Sequence, residues 1–101
     1  MFESPSPMST ETMTLNRALA AENLSVPTYT LIHAVGENGG PITVTALAFA
    51  TGYSYWAVRN QVRRTPWFHN MGLERHTAVV LTEAGQEKLE RVRRRVEQDD
   101  F

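Results

Sequence analysis

Apolar residues recur every three or four positions in several stretches of the chain, a spacing that is typical of amphipathic helices. The first stretch runs over residues 14–24, and the second follows Pro27, which suits the first turn of a helix. The pattern continues over residues 43–64 but is interrupted by Gly52. Because glycine takes a left-handed backbone at the least cost, Gly52 predicts a tight turn between two short helices.

Beyond Pro66 the pattern changes from helical to extended. Residues 67–71 and 76–81 are rich in aromatic and β-branched side chains, as strands are, and a turn candidate at residues 72–75 separates them. This combination predicts an antiparallel hairpin. A last helix is expected after Thr82, whose hydroxyl can cap the first turn.

Two short motifs in the chain are similar to segments of known regulator families. Residues 47–52, Leu-Ala-Phe-Ala-Thr-Gly, are similar to the turn segment of many bacterial and archaeal regulators. Residues 81–85, Leu-Thr-Glu-Ala-Gly, followed by Leu89, are similar to the exit from the wing in MarR-like and PadR-like families. The chain therefore resembles a winged helix-turn-helix protein over roughly residues 27–97. The resemblance implies a mainly α fold with a small β-hairpin (α+β) and flanking N- and C-terminal helices.

The length of 101 residues suits a single domain. Residues 1–13 are rich in Ser, Thr and Pro and are expected to form a disordered tail. Residues 14–97 are expected to form the winged helix-turn-helix domain with its terminal helices, and residues 98–101 a C-terminal tail.

The net charge of the chain is only −1 at pH 7, but its basic residues are unevenly distributed. Residues 53–76 carry four arginines against the single acid Glu74, a local balance of +3, and the segments on either side are acidic. Because DNA affinity depends on a local basic patch and not on the total charge, this distribution indicates a nucleic-acid surface. The same charges also suit an ordinary solvated helix face, which stays open as an alternative.

The resemblance assigns the helix at about residues 54–65 to the DNA major groove. Within that helix Arg59 and Asn60 are suited to read guanine and adenine, while Arg63 and Arg64 would hold phosphates. The wing would touch the DNA backbone or minor groove. The candidate DNA-contacting residues are Ser54, Tyr55, Trp56, Arg59, Asn60, Arg63, Arg64, Arg75 and His76.

The aromatic residues are divided between this surface and the core. Trp56 is expected to pack against the preceding helix or against Trp67, a role favoured slightly over contact with thymine methyl groups. Tyr29, Phe49 and Phe68 are expected in the core, because aromatic residues at helix or strand spacing usually lie there.

The residue inventory excludes several kinds of site. The chain has no cysteine, which rules out disulfides and fits a reducing cytoplasm. His33, His69 and His76 lack the spacing of metal ligands, so neither a metal nor a cofactor is expected. No catalytic constellation or phosphate-binding loop is recognisable, so an enzyme is not expected. The sequence also has no apolar run long enough for a membrane span and no signal-peptide pattern at its N-terminus.

Two functions of different classes remain. The first is a sequence-specific transcription regulator that binds double-stranded DNA as a homodimer. The second is a winged-helix protein-interaction module, such as a complex component or a viral factor acting on a host protein. The resemblance also implies a small-molecule effector, which the sequence does not identify. Dimerisation is expected through the terminal helices, whose apolar residues are Leu15, Leu19, Leu89, Val92 and Val96.

Overall fold

A computed structural model describes residues 7–71 and 78–99 and, of these, the side chains of residues 14–71 and 78–98. This part of the chain forms five helices and three short strands. In order they are α1 (Pro7–Ala21), α2 (Val26–Asn38), β1 (Ile42–Thr43), α3 (Val44–Thr51), α4 (Tyr55–Arg64), β2 (Phe68–Asn70), β3 (Ala78–Leu81) and α5 (Glu83–Asp99).

The predicted fold class is confirmed: the protein is mainly helical with a small antiparallel sheet. The bounds of the terminal helices differ from the prediction. Helix α1 begins at Pro7 rather than at Thr14, so residues 7–13 of the predicted tail are helical, and α5 continues to Asp99. Proline is tolerated in a first turn, and no glycine or proline between residues 8 and 21 interrupts the helix that follows.

Helices α2 to α5 all start in the same way. The hydroxyl of a Ser or Thr just before each helix accepts the backbone N–H three residues on, at 3.0–3.3 Å. These bonds satisfy N–H groups that have no partner within the helix. The cap predicted at Thr82 is therefore confirmed. The four capping residues are Ser25, Thr43, Ser54 and Thr82.

The three strands form one antiparallel sheet in the order β1-β3-β2. In the hairpin, Phe68 lies opposite Leu81 and Asn70 lies opposite Val79. The predicted hairpin is thus confirmed, and β1 adds a third strand by pairing Ile42 with Val79. The predicted turn at residues 72–75, together with residues 76 and 77, lies outside the described residues.

The contacts made where the hairpin leads into α5 account for the residues of the motif at positions 81–85. The N–H of Thr82 donates to the carbonyl oxygen of Trp67 at 3.0 Å, and its hydroxyl donates to that of Pro66 at 2.8 Å. A Cβ atom at Gly85 would overlap the Trp67 carbonyl oxygen, so only glycine fits at this close approach. The motif therefore fixes the start of α5 against the strand that follows α4.

One hydrophobic core joins the helix-turn-helix pair to the terminal helices and the sheet. Because protein interiors are close-packed, a shared core fixes the positions of these elements relative to one another. Its largest fully buried side chains come from α2, α3, α4, β3 and α5. They are Leu31, Ile32, Leu47, Val58, Val79 and Val92.

The apolar stripe of α5 is covered within the chain. Leu89 and Val92 are buried in the same core as Leu19 of α1, while Leu15 and Val96 are half-buried against it. The chain itself therefore covers Leu19, Leu89 and Val92 and leaves Leu15 and Val96 only partly covered. Helix α1 packs along α5 within one chain, a tertiary pairing that the spacing of apolar residues does not specify.

The placement of the aromatic residues expected in the core differs from the prediction at one position. Phe68 is buried and Tyr29 packs partly against the core, as expected. Phe49, however, is 91% exposed, so its assignment to the core is wrong. Helix α3 buries Val44 and Leu47 on one face, and Phe49 falls on another face. Because this short helix is apolar all round, its sequence does not indicate which face lies inside.

A buried carboxylate ties the end of α1 to α5. Glu22 has a side chain only 5% exposed, and it accepts hydrogen bonds from Lys88 at 3.2 Å and from the Nε of Arg95. Lys88 also donates to the Glu22 carbonyl oxygen at 3.1 Å. The Arg95 hydrogen bond lowers the pKa of Glu22, against the opposing effect of burial, and Lys88 lowers it further. Glu22 is therefore held as an ion inside the fold.

Candidate nucleic-acid interface

Helix α4 has one buried side and a broad exposed one. Val58 and Val62 point into the core, where α4 packs on α3 and β2. The remaining faces carry side chains that reach outward. The exposed residues among the predicted contacts are Ser54, Tyr55, Trp56, Arg59, Asn60, Arg63 and Arg64.

The turn before α4 has the geometry that the sequence predicts. Gly52 adopts a left-handed φ of 81°, and its N–H donates to the Ala48 carbonyl oxygen at 2.9 Å. Two residues later the Ser54 hydroxyl accepts the Ala57 N–H at 3.1 Å. That bond occupies one acceptor site of Ser54, whose hydroxyl proton remains available to a phosphate or base.

A polar contact that the sequence analysis missed fixes the rotation of α4. The hydroxyl of Thr28, a buried residue of α2, donates to the Gln61 side-chain oxygen at 2.8 Å. Thr28 also hydrogen-bonds the Ser25 hydroxyl at 2.8 Å, so the link continues into the α2 cap. The only sequence signal for this role is that Gln61 lies three residues after Val58, on the buried side of the helix.

The arginines of α4 differ from those of α5 in their surroundings. No carboxylate of the described residues forms an ion pair with Arg59, Arg63 or Arg64. The chain has no acidic residue at all between Glu37 and Glu74. A basic face that no described carboxylate neutralises is the electrostatic surface that suits a phosphate backbone.

In α5, by contrast, three arginines have acidic partners. Arg93 lies 3.2 Å from a Glu37 carboxylate oxygen, and Arg91 and Arg95 pair with acids that include Glu22. These ion pairs neutralise much of the positive charge of the α5 arginines within the chain itself. The α4 surface is therefore the stronger candidate for an external polyanion, although α5 carries more basic residues.

Trp56 does not pack as predicted. It is 65% exposed, and its ring meets the Tyr55 ring edge to face with centroids 5.4 Å apart. The Arg59 guanidinium lies over the Trp56 ring at 5.4 Å from its centroid. Trp67 instead lies beneath the Lys88 ammonium group. The expected packing of Trp56 is wrong because its position, two residues before Val58, turns it away from the core.

The structure brings the predicted contacts of α4 and its cap onto one exposed surface. It leaves open the two contacts predicted on the wing, because Arg75 and His76 lie outside the described residues. Within the described ranges no group of three His, Asp or Glu side chains could hold a metal ion. None of the helices described has the length and apolar character needed to cross a membrane.

A cleft of about 370 Å³ lies elsewhere, between the end of α2, β3 and the middle of α5. Its walls combine apolar side chains, including Leu81 and Leu89, with the charged residues Glu90 and Arg93. No residue of α4 lines it, so the cleft and the candidate interface are separate surfaces.

Several solved structures share this fold. E. coli MarR in its apo form has a TM-score of 0.76 at 18% identity, covering 90% of this chain and 71% of that one. A mutant S. aureus MepR bound to an oligodeoxyribonucleotide has a TM-score of 0.82 at 13% identity, covering 92% and 72%. NadR in complex with 4-hydroxyphenylacetate has a TM-score of 0.79 at 14% identity, covering 97% and 81%.

These likenesses show that the fold is a MarR-like winged helix-turn-helix, as the sequence motifs indicated. At the level of sequence, neither a model of a known protein family nor a curated protein matches the chain.

Proposed function

We propose that this protein is a cytoplasmic transcription regulator that binds double-stranded DNA sequence-specifically, with α4 in the major groove. The observation that carries the proposal is the exposed face of α4, whose three arginines have no acidic partner among the described residues. One of the solved structures with this fold, the MepR mutant, is bound to an oligodeoxyribonucleotide. An enzymatic role has no comparable support.

The proposed contacts divide by position along α4. Arg59 and Asn60 lie in the first two turns, and recognition helices usually present their N-terminal residues to base edges. An arginine fork matches the O6 and N7 acceptors of guanine, and an asparagine amide matches adenine. Arg63 and Arg64 lie in the last turn and are assigned to phosphates.

The hairpin is proposed as a second contact. Arg75 would touch the DNA backbone or the minor groove, and so would His76 when it is protonated. Both follow β2, which packs directly on α4. Their assignment rests on the resemblance to winged-helix proteins.

Loss of a base-reading arginine and loss of a phosphate-holding arginine should change DNA affinity in different ways. A preferred site is first selected from random duplex DNA, and each variant is then measured on that site and on a mutated site. Arg59→Ala is expected to reduce the preference between the two sites by about thirtyfold, because a paired guanine contact contributes about 2 kcal/mol of discrimination. Arg63→Ala is expected to weaken both sites together and to leave their ratio nearly unchanged.

Both variants must first be shown to be folded, by circular dichroism and thermal unfolding, because lost structure would mimic lost contacts. If Arg59→Ala retains the full site preference, the assignment of Arg59 to base reading is wrong. If the wild-type protein binds no duplex in a salt-sensitive way, the protein-interaction module becomes the better account.

We further propose a homodimer formed through the terminal helices. The proposal rests on the resemblance to MarR-like proteins, since the core of one chain already covers Leu19, Leu89 and Val92. Helices α1 and α5 pack on each other and on α2, whereas α4 packs on α3 and β2, so a partner on the terminal helices could leave α4 free. Two copies of α4 would then read half-sites about 34–36 Å apart.

Sedimentation of the full-length protein tests this assembly. A dimer is expected at micromolar concentration, and a species that stays monomeric at the highest soluble concentration contradicts it. Removal of residues 1–24 is unsuitable as a test. Leu19 lies in the core, so its loss would unfold the chain rather than release a monomer.

A small-molecule effector remains part of the proposal on the same resemblance. NadR, one of the similar structures, is in complex with 4-hydroxyphenylacetate. In this chain the cleft between α2, β3 and α5 has room for a small molecule, and its mixed apolar and charged lining does not select one chemical class.

A further inference from the structure

Three side chains at the N-terminal half of α4 form a preassembled unit. Tyr55 meets Trp56 edge to face, and the Arg59 guanidinium lies over the Trp56 indole ring at 5.4 Å from its centroid. The indole ring is 65% exposed. We refer to Tyr55, Trp56 and Arg59 as the aromatic–guanidinium unit.

This unit does not serve the core. Val58 and Val62 supply the contacts of α4 with the interior, and Trp56 lies outside the core cluster. The exposed rings of Tyr55 and Trp56 touch each other and form a small apolar patch on the surface of α4. Arg59 likewise has no acidic partner among the described residues, and its guanidinium lies over the Trp56 ring at a distance that suits a cation–π interaction.

We propose that Trp56 is a specificity-determining residue, which contacts the C5-methyl group of a thymine adjacent to the guanine read by Arg59. The inference rests on the proposed DNA-binding function. Trp56 also acts as a positioning residue, because its ring orients the Arg59 guanidinium in the protein that is free of DNA. The protein would therefore select a thymine–guanine neighbour pair in the major groove.

The spacing of the two side chains suits neighbouring base pairs. Trp56 and Arg59 lie three residues apart on one side of α4. Three residues advance a helix by about 4.5 Å, which is close to the roughly 3.4 Å rise between successive nucleotides of one strand. The guanidinium offers paired donors to guanine O6 and N7, and an apolar surface is what a thymine methyl accepts. The two groups can thus serve two adjacent base pairs at once.

Replacing thymine by deoxyuridine tests the contact, because the exchange removes only the methyl group. In the selected site, each thymine beside a guanine is replaced in turn, and the affinity of the full-length protein is measured by fluorescence anisotropy. At one such thymine the exchange is expected to weaken wild-type binding by about fourfold, the effect of burying one methyl group. Trp56→Ala is expected to bind the thymine and deoxyuridine duplexes equally well.

Phe49→Ala provides the matched control, because it also removes an exposed aromatic ring, from the first helix of the helix-turn-helix and not from α4. It is expected to retain the wild-type ratio between thymine and deoxyuridine duplexes. Both substitutions lie outside the core, so both variants are expected to unfold at the wild-type temperature. Trp56→Phe, which keeps a ring, is expected to restore part of the methyl sensitivity.

The possible results separate this inference from the function on which it rests. If the wild-type protein binds its site but no thymine beside a guanine is methyl-sensitive, the inference is overturned and the regulator function stands. Equal methyl sensitivity in wild type and Trp56→Ala would assign the contact to another residue and also overturn it. Unchanged affinity and ratio in Trp56→Ala would place the unit outside the DNA contact, as expected of a protein-docking surface. Failure to bind any duplex would remove the proposed function itself.

Discussion

Replacing Arg63 and Arg64 together by glutamine is expected to weaken binding to duplex DNA by about 100-fold at moderate salt. A hydrogen bond to a charged group contributes about 1.5 kcal/mol at least, and two such contacts would be lost. The slope of log affinity against log salt should become shallower by roughly two units, because two phosphates keep their counterions. Preferred and non-preferred sites should weaken alike. The measurement is a titration of both sites at several salt concentrations.

The matched control removes two arginines from another surface. Arg17 of α1 and Arg94 of α5 are exposed, and neither forms an ion pair with a described carboxylate. The Arg17→Gln/Arg94→Gln variant therefore has the same net charge as the α4 variant. Its DNA affinity should fall far less if α4 is the contact surface. Equal losses in the two variants, with the control variant shown by sedimentation to keep the assembly state of wild type, would mean that total charge, and not the position of α4, governs binding.

Replacing Glu22 by glutamine is expected to lower the free energy of unfolding by about 3 kcal/mol at neutral pH. Removing one member of a buried ion pair leaves its partners without compensation. Lys88 is the partner most affected, because its side chain is only 15% exposed, whereas the Arg95 side chain is 48% exposed and keeps contact with water. Urea unfolding of both proteins measures the difference.

The same carboxylate predicts a pH dependence. The hydrogen bond from Arg95, followed by that from Lys88, lowers the pKa of Glu22 in the folded state below its unfolded value of about 4.3. Its contribution to stability is therefore complete above that pH and is lost as the pH falls through the lowered pKa. The difference between wild type and Glu22→Gln should shrink steadily in acid.

Glu37→Gln is the control for this variant. Glu37 also pairs with an arginine of α5, Arg93, but its side chain is 60% exposed. Pairs of that kind contribute about 0–1 kcal/mol, so the stability of Glu37→Gln should stay close to that of wild type. An equal loss in the two glutamine variants would contradict the distinct role of the buried carboxylate.

The features that the sequence predicted correctly depend on local chemistry. Gly52 determines the turn because its left-handed backbone favours glycine. Thr82 caps the helix that follows it, and Pro66 marks the end of α4. Each of these effects acts within a few residues, so the order of elements could be predicted without knowing the tertiary structure.

The features that the sequence did not predict depend on which surfaces meet. The pairing of α1 with α5, the outward position of Phe49 and the link from Thr28 to Gln61 join segments distant in sequence or distinguish between faces of one helix. Helical periodicity identifies the apolar face of a helix but not the element on which that face packs. The contact between Arg59 and Trp56 is of a different kind, because residues three apart on a helix are neighbours and their meeting follows from local spacing.

Binding of the folded wild-type protein to duplex DNA as salt is raised tests the central claim most directly. The protein is titrated into a duplex selected from a random pool and into an unrelated duplex of equal length. The account predicts that affinity falls linearly on a log–log scale, with a slope of about −0.9 for each phosphate contacted, and that the selected duplex binds more tightly throughout. Binding to neither duplex, or binding that does not respond to salt, would contradict it.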